Sequence, residues 1–150
     1  MSNDIRWEQR FENFNKAFSK LNEAIDLSSA ESLSELEIEG LIQRFEYTYE
    51  LSWKTLQDVI KKRGYLDIGG PGAVLKQAFE LGLIDNPEGW RRLKKSRELT
   101  SHTYYSGTAM VIYEDIKSEY VFLFEFLKEK LEEERSGKQE TYLRNEIWDR

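Results

Sequence analysis

Trp7, Phe11, Phe14, Phe18, Leu21 and Ile25 are separated by 4, 3, 4, 3 and 4 residues. That rhythm gathers the large apolar groups of the first segment on one stripe of an α-helix, whereas a strand would scatter them over both faces. A helix cannot bury six bulky side chains by itself. The seam therefore demands partner helices, and a helical bundle is the simplest arrangement that supplies them.

The rest of the chain meets that demand. Small and acidic residues break the first helix, expected over Asp4 to Leu27, at "SSAESLSELEIEG". Ser34 and Glu37 have the spacing of a capping box. A second helix is expected over Glu35 to Arg63, with Ile38, Leu41, Ile42, Phe45, Tyr49, Trp53, Leu56 and Ile60 near one face and Gly64 as its stop. After the loop "GYLDIGGPG", a short helix is expected over Pro71 to Leu81, ended by Gly82. Asp85 or Asn86 can cap a fourth helix, and Pro87 suits its first turn. This helix carries Trp90, Leu93 and Arg97 and should end near His102. "SGT" at 106–108 reads as a turn with Thr108 as a cap. A last helix over Ala109 to Glu134 then turns Val111, Ile112, Ile116, Tyr120, Leu123, Leu127 and Leu131 inward. The expected fold is all-α: an up-and-down four-helix bundle with an additional short helix. Residues 1–135 form the bundle, and 136–150 form a C-terminal tail that leaves its apolar pattern.

Composition excludes several functions. The chain of 150 residues has no cysteine, so it has no disulfide frame and no thiolate metal site. One histidine leaves only carboxylates as further metal ligands, and no metal or cofactor is expected. No apolar signal core stands at the start, and no apolar run approaches the roughly 18 residues of a membrane span, so no membrane is expected and a cytoplasmic setting is. The net charge of −6 argues against a general coat for duplex nucleic acid.

Charge is unevenly spread. Residues 91–107 hold five cations (Arg91, Arg92, Lys94, Lys95 and Arg97) and one acid, Glu98. That stretch has a net charge of +4, which leaves −10 for the remainder. Cations favour the C-terminal half of a helix, near the negative end of its dipole, so a purely structural origin stands beside a functional one. The same stretch contains His102, which can exchange a proton near neutrality. Arg97 can hold a phosphate in its planar fork. Five helical residues rotate about 500°, leaving these two side chains about 140° apart on a straight helix. They converge only where the helix ends or bends near Thr100 or Ser101, or across two copies of the chain. Ser101 beside His102 makes no serine triad, because adjacent residues diverge and no strand-turn-helix elbow is present. "GYLDIGGPG" lacks the Lys-Ser/Thr ending of a phosphate loop. The aromatic run "FEYTYELSWKTL" is expected mostly in the core, taken up by helix packing; the alternative is that Tyr47 points away from the apolar stripe, where an exposed aromatic can anchor a partner.

"LIQRFEYTYELSWKTLQDVI" and "RELTSHTYY", taken together and in this order, resemble the nucleotidyltransferase substrate-binding-like family, a branch of the HEPN superfamily. The resemblance covers about residues 5 to 134. It implies a four- or five-helix bundle that forms homodimers, with a small nucleotidyltransferase as partner. In the best understood relatives the two are toxin and antitoxin. Arg97, His102 and Tyr104 match the Arg-x4-His-x-Tyr pattern of those relatives. The resemblance implies metal-independent RNA cleavage by Arg97 and His102, and silencing by AMP attached to Tyr104. Thr100, Ser101, Arg91, Arg92, Lys94 and Lys95 are then the expected phosphate or substrate contacts. The alternative is a non-catalytic subunit that positions substrate for the nucleotidyltransferase.

Overall fold

A computed structural model of the chain describes the backbone of residues 2–30, 32–66, 68–102 and 106–148, and the side chains of 5–29, 32–66, 68–101 and 107–137. Every regular element among them is helical: α1 (Ser2–Ala30), α2 (Glu35–Lys62), α3 (Pro71–Glu80), α4 (Pro87–Leu99), a single 3-10 turn (Thr100–His102), α5 (Ser106–Asp115), a π-turn (Ile116–Tyr120) and α6 (Val121–Trp148). The protein is an all-α bundle.

Local chemistry sets most of the ends. The Ser34 hydroxyl accepts from the Glu37 amide at 3.2 Å, while the Glu37 carboxylate accepts from the Ser34 amide at 2.8 Å, which completes the capping box of α2. Gly64 and Gly82 have φ of 94° and 77°, the left-handed conformation that ends a helix without a Cβ clash. The following amides turn back into each helix, from Tyr65 to the Ile60 carbonyl and from Leu83 to the Ala78 carbonyl. At α4 the cap is Asn86, whose Oδ1 accepts from the Gly89 amide at 2.9 Å, with Pro87 in the first turn.

The seam of α1 is an aromatic ladder. Trp7, Phe11, Phe14 and Phe18 stack in sequence with centroids 5.9, 6.3 and 5.9 Å apart, and all four are buried. Phe124 of α6 is the ring where the helices meet. It contacts Phe14 and Phe18 of α1, Phe45 of α2 and Trp90 of α4, with centroids 5.8 to 6.3 Å away. Offset and edge-on geometries dominate there, as ring quadrupoles favour. The inner face of α2 also buries Thr48, Ser52 and Thr55. Each hydroxyl donates to a carbonyl of the preceding turn, so small polar side chains fit the helix interface without orphaned groups.

Three details of the last helical stretch differ from the periodicity reading. Ser106, Gly107 and Thr108 lie inside α5 rather than in a turn with Thr108 as cap. Small polar residues suit the first turn of a helix as well as its cap, and the buried Ala109 and Ile112 draw that turn onto the bundle. Val111 points outward, at 61% exposed, and Phe124 takes the central place. The cause is the π-turn. Ile112, Ile116, Tyr120 and Phe124 are all buried although they follow at steps of four. Each such step overshoots an α-helical turn by about 40°, and the wider π-turn absorbs the drift. Finally, α6 runs unbroken through Ser136 and Gly137 to Trp148, because nothing in that stretch blocks a helical hydrogen bond as proline would.

The π-turn also fixes α4. Tyr120 donates its hydroxyl proton to the Arg92 carbonyl at 3.1 Å and meets the Ser96 hydroxyl at 2.6 Å. Burial pushes the Tyr120 phenol pKa up. The neighbouring Glu119 accepts a bidentate pair of bonds from Arg92, both at 2.9 Å. The basic helix is thus held on its inner side by one residue and on its outer side by the next.

Candidate functional site

α4 ends at Leu99 and tightens into the 3-10 turn at Thr100. This is the break in the helix that convergence of Arg97 and His102 requires. The backbone of His102 closes the turn, its side chain lies outside the described residues, and so does Tyr104 altogether. The site that can be built side chain by side chain is therefore the Arg97 half.

Arg97 reaches from the last turn of α4 onto α2. Its Nη1 lies 3.1 Å from Glu46 Oε2, and its Nε lies 3.4 Å from Glu50 Oε1. Nη1 also donates to the Thr100 hydroxyl at 3.0 Å. That hydroxyl stands 2.7 Å from Glu46 Oε2 and 2.6 Å from the Arg97 carbonyl, and its single proton can serve one of them. Thr100 is buried, while the Arg97 side chain is 31% exposed. The guanidinium is thus fixed at its inner edge and open at its outer edge. Among the described residues, Nε of Arg97 has no hydrogen-bond acceptor in correct geometry. A cleft of ≈ 220 Å³ opens beside the group, lined by Gln43, Glu46, Tyr47, Glu50 and Arg97. The Tyr49 hydroxyl on α2 is buried without a partner among the described residues, and burial, with Glu50 and Glu98 nearby, pushes its pKa far up. Tyr47 is 61% exposed at the mouth.

Glu46 and Glu50 are the residues that sequence reasoning passed over. The signal was present: Gln43, Glu46, Tyr47 and Glu50 recur at steps of 3, 1 and 3, a second helical stripe running beside the apolar one. Such a stripe is ordinarily read as a solvated face. Only the packing of α4 against α2 turns it into a clamp.

The cations near Arg97 are placed differently. Arg92 pairs with Glu119, Lys94 with Glu98 at 2.8 Å, and Arg91 with Glu88. Lys95 is exposed. Ser101 is exposed and donates to the Glu98 carbonyl at 3.1 Å. The basic surplus of residues 91–107 is thus largely matched by acids from the same helix, α2 and the π-turn. Exposed pairs of this kind hold weakly, typically below about 1 kcal/mol, and can be exchanged for a phosphate. Among the described residues no group of three or more metal-binding side chains comes together, and no helix is long and apolar enough to cross a membrane.

A family model for proteins described as nucleotidyltransferase substrate binding protein like matches residues 9–133. The chain belongs to this family. Within the nucleotidyltransferase substrate-binding-like proteins, the chain is similar to the Haemophilus influenzae protein named Probable ribonuclease HepT. The two are 38% identical over 103 residues, which cover 62% of this chain and 68% of the relative. Its fold is also similar to a solved Haemophilus influenzae structure described as a substrate binding domain of a nucleotidyltransferase, with 29% identity and a TM-score of 0.74 over 81% of this chain and 98% of the other. A Thermus thermophilus protein of known structure matches at 32% identity and a TM-score of 0.70, over 79% of this chain and 98% of that one.

Proposed function

We propose that this protein is the ribonuclease component of a HEPN-type toxin–antitoxin pair, cutting RNA without metal and held in check by a partner nucleotidyltransferase. The observation that carries the reading is the end of α4: Arg97 is anchored by Glu46, Glu50 and Thr100 immediately before the turn that bears His102. Similarity to a relative named as a ribonuclease supports it.

In this reading a ribose 2′-hydroxyl attacks the adjacent phosphate and the 5′-oxygen leaves. His102 accepts or returns the proton. Arg97 offers its open edge to the charge that builds on the phosphate oxygens. The carboxylates do not bind the anion. They fix the guanidinium so that no ordering is needed when the phosphate arrives. One chain supplies a single histidine, so a homodimer that brings two such turns together completes the acid–base pair. Ser101 and the exchangeable cations Arg91, Arg92, Lys94 and Lys95 steer the RNA backbone, and Thr100 fixes the turn. AMP on Tyr104, two residues from His102, adds bulk and negative charge and opposes a second phosphate. The unit that acts is the bundle of residues 1–135, with 136–150 appended, and its setting is the cytoplasm.

Incubating the purified protein and a His102→Ala variant with RNA in a chelator tests this reading. Cleavage by the parent and its loss in the variant is expected; equal cleavage by both, or none by either, removes His102 as the catalytic group. With the partner and ATP, mass spectrometry should place an added AMP on Tyr104, and addition that persists in Tyr104→Phe assigns it elsewhere. The second reading, a non-catalytic subunit presenting substrate to the nucleotidyltransferase, is favoured by the acids that already neutralise most of the basic helix.

A further inference from the structure

A second concavity lies between α3 and α4, with a different character from the Arg97 cleft. Its volume is ≈ 450 Å³, within the usual range of small-molecule sites. Leu75 and Phe79 of α3 form one wall, Ile84 of the connecting turn and Trp90 of α4 the other. Phe79 stands 44% exposed, which leaves its ring free for a flat ligand to stack on. Trp90 is 1% exposed, and its Nε1–H is buried with no acceptor among the described residues. The indole thus serves the concavity as apolar floor, through its ring and not through its N–H.

The rim has one sign of charge. Lys76 approaches from α3, Arg91 and Lys94 from α4, and among the described residues none of the side chains lining the concavity is acidic. In a chain of net charge −6 this is a local reversal. The acids that pair with Arg91 and Lys94 are Glu88 and Glu98, on the same helix and well exposed, so those pairs yield readily to a stronger anion. Gly72, at the start of α3, also lines the site, and among the described residues no side chain caps this first turn. Its free backbone donors add to the positive field.

From these features we infer that the pocket binds a nucleotide, a flat base joined to a phosphate. The base lies against Phe79 over the apolar floor of Leu75, Ile84 and Trp90. The phosphate meets Lys76, Arg91 and Lys94 at the rim, where Arg offers two parallel donors and lysine a compact charge. A simple anion site would not need the aromatic wall, and an apolar ligand would not need three cations. The inference goes beyond RNA cleavage and does not depend on it, because the site is read by binding alone.

Titration calorimetry of the full chain tests the site with 5′-AMP, adenosine and inorganic phosphate as separate probes. Saturable binding of 5′-AMP is expected, with adenosine and phosphate each at least about tenfold weaker. Lys76→Glu with Lys94→Glu, and separately Phe79→Ser, should each weaken 5′-AMP by about tenfold or more while the thermal unfolding midpoint of Phe79→Ser stays near that of the parent. A 5′-phosphorylated dinucleotide separates the two sources of this chemistry: equal binding assigns the pocket to an RNA end, and loss of binding assigns it to a free nucleotide. Three results overturn the inference: no saturable 5′-AMP binding at millimolar concentration, phosphate binding as tightly as 5′-AMP, or 5′-AMP affinity unchanged in both variants.

Discussion

Two places where α4 meets its neighbours are organised in opposite ways. At its N-terminal half, Trp90 packs edge-on against Phe124 at 5.8 Å, in the dry centre of the bundle. At its C-terminal end, Arg97 is held by the side chains of Glu46, Glu50 and Thr100 beside an open cleft. The first contact is non-directional and gains from every atom removed from water. The second depends on direction and charge, gives little net stability at the surface, and leaves one face of a cation open. A helix anchored by rings at one end can present a charged group at the other without relying on that group for its fold.

That division can be attacked experimentally. Phe124→Ala should have the largest effect, about 3–5 kcal/mol of stability, since four rings from three helices lose their common neighbour. Chemical denaturation measures it, and a loss below about 1 kcal/mol would show that the core does not centre on this ring. Arg97→Ala should reverse the pattern, with little change in the unfolding midpoint but a fall in RNA cleavage of about 100-fold, the usual cost of removing one donor to developing charge. Arg97→Lys should not restore the rate, because a point charge cannot bridge Glu46 and Glu50 as the fork does. A large loss of stability in Arg97→Ala would merge the two regions into one.

A smaller effect is expected at the junction between them. Tyr120→Phe removes the hydroxyl that joins the π-turn to Ser96 and the Arg92 carbonyl, and should cost about 1 kcal/mol. The smallest change is a pH dependence far from α4. Glu134 is partly desolvated, which raises its pKa, but hydrogen bonds from Arg63 and Lys62 outweigh this and hold it below the ordinary 4.5. A carboxylate depressed in the folded state contributes stability above its unfolded pKa and loses it as pH falls through the folded value. Unfolding midpoints followed from pH 6 downward should therefore drop more steeply in the parent than in Glu134→Gln; parallel curves would show that the tie between α2 and α6 is not ionic.

Legibility in the sequence followed the same division. The seam of Trp7, Phe11, Phe14 and Phe18, the Ser34–Glu37 box and the stops at Gly64 and Gly82 were readable because each depends on residues a few positions apart. Tyr47, expected first as one of the packed aromatics of its run, is instead exposed. Phe124 was not readable as the central ring, because the π-turn changes the helical phase and a period of 3.6 carried through it points Val111 inward instead. Glu46 and Glu50 stand some fifty residues from Arg97, and no local rule ties them to it.

By itself, then, the sequence determined an all-helical chain, the capped and glycine-stopped helix ends at Ser34, Gly64, Gly82 and Asn86, its dominant apolar faces and the family motif around Arg97. These are consequences of backbone hydrogen bonding and side-chain period, which act over one or two turns. The tertiary structure alone decided which acids hold Arg97, which ring joins the helices, and that Lys76, Arg91 and Lys94 share one rim. Those contacts join residues distant in sequence, and only the packing of whole helices brings them within reach of one another.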